Sequence, residues 1–177
     1  MADLVNALGI ASARIYAAFG SKEALFREAV ALYEAQEGGF ADRALEEEPT
    51  LLRGIERMLR DGVELYARRN GPRGCMVVSA ATNCASENDG IRNWLEEHRR
   101  ARTASIVKRM KKALRDGELR KDADAQSLGD LCASTLHGLS IQARDGISRE
   151  RLLAIIPPLM ALLGVNASPP QRSLVPP

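Results

Sequence analysis

The chain has 177 residues, 45% of them hydrophobic but only 4% aromatic, and its 25 basic and 23 acidic side chains leave a net charge of +2. That length buries a substantial core, as one domain with an appendage or as two small domains, while the near-neutral balance by itself selects no partner. No transmembrane run and no signal-type opening interrupts the pattern, so a cytoplasmic protein is expected.

Helical periodicity runs almost throughout and β-branched runs are few, which predicts an all-α protein. At the start, Leu4, Val5 and Leu8 recur at helical spacing, and Gly9 follows where a chain leaving a helix adopts a positive φ. Ile10 offers an apolar anchor in the turn. Ser12 is the expected N-cap of a second helix of about two turns, on which Ile15, Ala18 and Phe19 form an apolar stripe. Gly20 and Ser21 stop that helix and cap a longer third one, with Glu23 in its first turn where a carboxylate suits the helix dipole. Two short helices joined through a glycine-containing turn fit the helix-turn-helix unit, whose second helix lies in the major groove.

The stretch GIASARIYAAFGSKEALF, residues 9–26, is similar to the recognition-helix signature of the TetR family of bacterial transcriptional regulators, roughly G-V-S-x-x-x-[LI]-Y-x-x-F-x-[SND]-K-E-x-L. Gly9, Ile10, Ile15, Tyr16, Phe19, Ser21, Lys22, Glu23 and Leu25 fall in register. The resemblance implies that Tyr16 and Lys22 hold phosphates, while Ser12, Ala13, Arg14 and Ala17 face base edges or the backbone. Arg14 offers the one strong direct readout, and Phe19 reads as core. It also implies a helix ahead of Met1, so the head is expected to be N-terminally incomplete, with Leu4, Leu8, Ile15 and Phe19 short of cover. Residues 1–37 carry Arg14, Lys22 and Arg27 against Asp3, Glu23, Glu28, Glu34 and Glu37, poor electrostatics for a phosphate backbone.

The third helix is expected to reach about Glu37, where Gly38 and Gly39 break it, and Phe40–Glu48 reads as an acidic connector before a helix start at Pro49. Residues 50–69 place Leu51, Leu52, Ile55, Met58, Leu59, Val63, Leu65 and Tyr66 on one amphipathic helix. Residues 74–85 form a nearly uncharged run whose pattern fits helix or strand, small residues favouring helix. Its R-G-C-x-[LV] opening resembles a body helix in one TetR subgroup, which brings in Met76, Ser79 and Asn83 as cavity residues, with plain core packing as the other reading. The longest helix is expected from residue 90 to about 116, with Ile91, Trp94, Leu95, His98, Ile106, Met110 and Leu114 on one face. From Arg99 to Arg115 it carries eight basic residues and no acidic one, read as a solvated face or a phosphate contact.

A helix from about 123 to 143 sets Leu128, Leu131, Cys132, Thr135, Leu136 and Leu139 on one side, while Gly129, Ala133 and Ser140 allow another helix to come close. The last helix, 149–163, is capped by Ser148 and is apolar all round, so a second surface must be covered, most simply by a two-fold bundle through residues 123–163 of identical subunits. Pro157 and Pro158 should kink or split it. Residues 166–177 read as a disordered tail.

Cys75, Cys84 and Cys132 are an odd set without metal-type spacing, read as buried thiols or as a thiol sensor. There is no phosphate loop, nucleophile elbow, paired-carboxylate setting or metal motif, so neither enzyme activity nor a metal or cofactor is expected. The overall expectation is an all-α chain: a partial helix-turn-helix head with its linker helix (1–37), joined to a helical-bundle body (38–165) that binds an unknown small-molecule effector and dimerises. Met58, Met76, Trp94, His98, Cys132 and Thr135 are the body's candidate ligand contacts, with ordinary core as the alternative for each. The family resemblance implies a ligand-responsive repressor on a double-stranded operator. The rival readings are a dimeric ligand-binding body without competent DNA binding, and a helical interaction or redox protein.

Overall fold

The computed structural model describes residues 1–81 and 89–169. It is helical, and it divides into two compact units, Met1–Gly39 and Phe40–Pro177. Asn83, Cys84 and Asn88, and the expected tail from residue 170 on, lie outside the described residues.

In the first unit, α1 (Ala2–Leu8) ends at Gly9, whose φ of 65° is the left-handed conformation that a side chain would resist. The next helix, α2 (Ser12–Phe19), corrects one expectation: its N-cap is Ala11, which is extended, and Ser12 is already the first helical residue. The cap thus has no side-chain acceptor. By contrast, Ser21 caps α3 (Lys22–Tyr33) as expected, its hydroxyl accepting the Ala24 N–H at 3.0 Å. A π-turn, Glu34–Gly38, follows, and Gly38 lies so close to the Tyr33 ring that a Cβ there would sit 2.7 Å from Cε1. Ile15 is buried, Phe19 is partly covered, and Leu4, Leu8 and Ile10 are exposed.

The second unit is built on α5 (Leu51–Tyr66), capped by Thr50 and buried along Leu51, Ile55, Met58, Leu59, Val63 and Tyr66. Leu52 and Leu65 are only partly buried. The stretch expected as a connector is instead α4 (Phe40–Glu47), with Phe40, Ala41, Ala44 and Leu45 buried. Its acidic residues occupy the other side. Gly54 lets α4 cross closely, since a Cβ there would lie 3.2 Å from the Ala44 carbonyl.

Two more layers complete the core. The nearly uncharged run forms α6 (Met76–Ala81), a helix rather than a strand, with Val77 and Val78 buried. The longest element, α7 (Asp89–Arg115), buries Leu95, Ile106, Val107, Met110 and Ala113. Opposite it runs α8 (Ala125–Arg144), capped by Asp124, whose carboxylate accepts the Gln126 and Ser127 N–H groups at 3.0 Å each. Leu131, expected on the buried side of α8, is 39% exposed because it lies at the edge of the arc set by Leu128, Cys132, Leu136 and Leu139. The small-residue face behaves as expected: a Cβ on Gly129 would lie 2.6 Å from Val107 Cγ2, so α7 and α8 touch nearly backbone to backbone.

The final segment is split. The first piece, α9 (Arg149–Leu153), is capped by Ser148, and α10 (Ile156–Val165) starts afresh with a proline in its first turn, where a missing amide hydrogen costs nothing. The tail expectation fails at its start, because Arg120 N–H donates to the Asn166 carbonyl and Ser168 N–H to that of Glu118, both at 2.9 Å. Among the described residues, no helix is long and apolar enough to cross a membrane.

Candidate nucleic-acid interface and body clefts

One buried residue orients α2. Ile15 is 3% exposed and faces inward, and at 100° per residue this turns Ala13, Arg14, Tyr16 and Ala17 outward. Ser12 is exposed as well, and Tyr16 is 42% exposed, so its ring is not a core aromatic. The outward array thus offers two hydroxyls and one guanidinium on two turns of helix. Lys22, exposed at the start of α3, adds an ammonium. Arg27 is already engaged, its guanidinium pairing with Glu23 at 2.8 Å, which leaves Arg14 and Lys22 as the outward cations of α2 and its border with α3.

The six body residues named from sequence do not converge. Met58 and Cys132 are fully buried in the main core. Burial pushes the Cys132 thiol up to about 12, so it stays protonated and is a poor nucleophile. Trp94 and His98 are brought together, their rings 4.3 Å apart and steeply inclined on α7. Met76 is half-buried on α6. Thr135 donates its hydroxyl to the Leu131 carbonyl at 2.9 Å and lines a shallow groove of about 340 Å³ with Gly138, Gln142 and Ile155. Cys75 lies partly buried against the core, its N–H donating to Ser140 Oγ at 2.8 Å.

Two larger clefts flank α7. The one toward α4, about 530 Å³, sets Glu46, Glu47 and Glu48 against Lys108, Arg109, Lys112 and Arg115, a wall of mixed charge. The other, about 570 Å³, opens along α7 and α8. It is lined by Arg99, Arg100, Lys108, Lys111, Arg115 and His137, and the one carboxylate among its described lining residues, Glu96, pairs with Arg100 at 2.5 Å. Among the described residues no group of His, Cys, Asp and Glu side chains is arranged to hold a metal ion.

Residues 52–154 match the family described as the Tetracyclin repressor-like, C-terminal domain. The chain belongs to the TetR family. It is 38% identical, with a TM-score of 0.86, to a cysteine mutant of the TetR family transcriptional regulator CifR, solved with 26-bp double-strand operator DNA; the match covers 91% of this chain and 84% of that one. A putative TetR transcriptional regulator from Rhodococcus sp. RHA1 is 31% identical with a TM-score of 0.67, over 94% of this chain and 88% of that one. The HTH-type transcriptional repressor ComR of Escherichia coli (strain K12) is 27% identical over 163 residues, 88% of this chain and 74% of that protein.

In this TetR-family regulator, sequence reasoning passed over the basic cleft as a site. The run from Arg99 to Arg115 gave a signal, but its partners Gln126 and His137 lie on another helix, and only the α7–α8 register unites them.

Proposed function

We propose that the chain is a homodimeric transcriptional repressor rather than a catalyst, acting in the cytoplasm on a near-palindromic double-stranded operator. Residues 1–37 serve as reading head and linker, and 38–165 as the effector-binding and dimerising body. The observation that carries this reading is the outward array Ser12, Ala13, Arg14, Tyr16 and Ala17 on α2, with Ile15 alone turned in. Likeness to CifR, solved on its operator, and to proteins named as repressors supports it. Two heads read successive major-groove faces about 34 Å apart.

In this scheme Arg14 reads a base edge, Tyr16 and Lys22 hold phosphates, and Ser12, Ala13 and Ala17 pack against base edges or backbone. The effector acts by preferring one body conformation over the other, since a ligand shifts an equilibrium only by its differential affinity. Trp94 and His98 are the body residues we carry forward from the sequence as contacts. Met58 and Cys132, sealed in the core, read as packing.

Fluorescence anisotropy on a panel of operator variants tests the head. Arg14→Ala is expected to lose about 1–3 kcal/mol of discrimination at one base pair. Lys22→Ala is expected to weaken all sequences alike and to lower the salt slope by about 1. If the two variants behave identically, or neither changes binding, these roles are wrong.

A further inference from the structure

The cleft along α7 and α8 has a chemistry of its own. The helices are antiparallel, joined through the short segment 116–124, and Val107 sits on Gly129 at their crossing. Eight residues back along α7 from that point is Arg99; eight residues forward along α8 is His137. The register therefore brings these two to one end of the cleft, and both line it. The same register sets Gln126 beside Lys111 at the other end. Between the ends the floor is Thr103, Ala104 and Val107, and Arg99 and Val107 are about 12 Å apart along the axis. The Thr103 hydroxyl is occupied, donating to the Arg99 carbonyl at 3.1 Å.

The cationic end is unbalanced. Among the described residues, Arg99 Nη1 is buried without a hydrogen-bond partner, although the arginine beside it in the lining has Glu96. Its helical neighbour Arg102 has Asp42, at 2.6 Å. A desolvated guanidinium nitrogen without an acceptor is costly, and such groups are retained where something else supplies the acceptor. His137 stands below the ordinary imidazole range, through burial first and then through Arg99 and Arg102, so near neutrality it keeps one N–H to donate and adds no charge of its own. Lys108, Lys111 and Arg115, exposed along the rim, draw anions in while their stems wall the apolar floor.

We infer that this cleft binds a small organic oxyanion with an apolar body, its head held by the Arg99 guanidinium and the His137 N–H and its body laid along Thr103, Ala104 and Val107. A planar guanidinium accepts carboxylate or phosphate oxygens pairwise, so the head is an oxyanion of either kind. Neither Trp94 nor His98 lines this cleft, so the site goes beyond the effector contacts proposed above, and only its regulatory consequence rests on the effector-responsive reading.

Calorimetric titration of the full chain with octanoate, octyl phosphate and octan-1-ol tests it. Both anions are expected to bind and the alcohol not to, and the tighter anion identifies the head group. Arg99→Gln is expected to weaken the anions about ten-fold or more, Arg99→Lys less, and Lys121→Gln, exposed outside the cleft, not at all. Because Arg99 carries an unanswered desolvation cost, Arg99→Gln should melt no lower than the parent without ligand. A lower melting temperature would assign the guanidinium to holding the fold and overturn the proposal. Octan-1-ol binding as tightly as octanoate, or unchanged affinity in Arg99→Gln, would overturn it equally. Failure of the unliganded chain to bind any operator would count against the repressor reading while leaving these titrations as they stand.

Discussion

At the scale of single residues, position on a helix decides more than residue type. Tyr16 and Ile15 are neighbours, yet one is exposed and the other sealed. His137 shows how environment sets protonation. Burial and two arginines hold its imidazole below the ordinary range, so the unfolded chain takes up a proton more readily than the folded one. Stability from this group is therefore complete above the unfolded imidazole value, about 6.5, and is lost as pH falls from there toward the lowered folded value. His137→Gln should flatten the melting temperature against pH in that window and leave it unchanged in slope above pH 7; a parallel shift at every pH would mean a packing role instead. The helix ends of the head were legible because they depend on local rules: Gly9 after α1, Ser21 before α3. Ser12 was misread because Ala11 had already turned extended, and a cap belongs to the last non-helical residue whatever its side chain.

Elements were readable where their apolar residues were large. The stripe from Leu51 to Tyr66 announced α5, and the two prolines announced the break between α9 and α10. The helix α4 was missed because its buried side relies on Ala41 and Ala44 beside Phe40 and Leu45, while its acidic residues dominate the eye. The basic cleft was illegible for a different reason: its two walls are set by the contact of Gly129 with Val107, which periodicity on either helix alone does not contain. That contact makes a prediction in which two effects oppose. Helix propensity favours Gly129→Ala by about 1 kcal/mol. The new Cβ would lie 2.6 Å from Val107 Cγ2 and 2.9 Å from Val107 Cα, and the second of these is backbone that cannot swing away. Overpacking of this kind costs about 1–3 kcal/mol, so Gly129→Ala should be destabilising on balance in denaturant melts. Val107→Ala in the same chain should recover part of the loss by clearing the side-chain clash but not the backbone one. A simple stabilisation by Gly129→Ala would show that the helices separate freely at this crossing.

For the whole molecule, α8, α9 and α10 leave an apolar edge that calls for cover. Ile156, Leu159 and Leu163 turn into the core, and the opposite arc exposes Ile155, Leu162 at 47% and Val165 at 70%; Leu131 on α8 is exposed as well. Single exposed leucines need no explanation, but several along the last two packed segments mark a surface that water disfavours. In the homodimer proposed above this edge is where a second copy fits, and two heads on one operator gain affinity from acting together. Leu162→Glu puts a charge into that contact without touching the core, since Leu162 lies on the exposed arc of α10. Sedimentation equilibrium should show the dimer dissociating at concentrations where the parent stays paired, with the unfolding transition of each subunit retained. Operator affinity should fall by about 100-fold or more, because the second head no longer binds as an intramolecular event. Binding to a half-site should be nearly unchanged. A variant that remains dimeric would place the interface elsewhere on the body, and one that turns monomeric with full operator affinity would mean that a single head suffices.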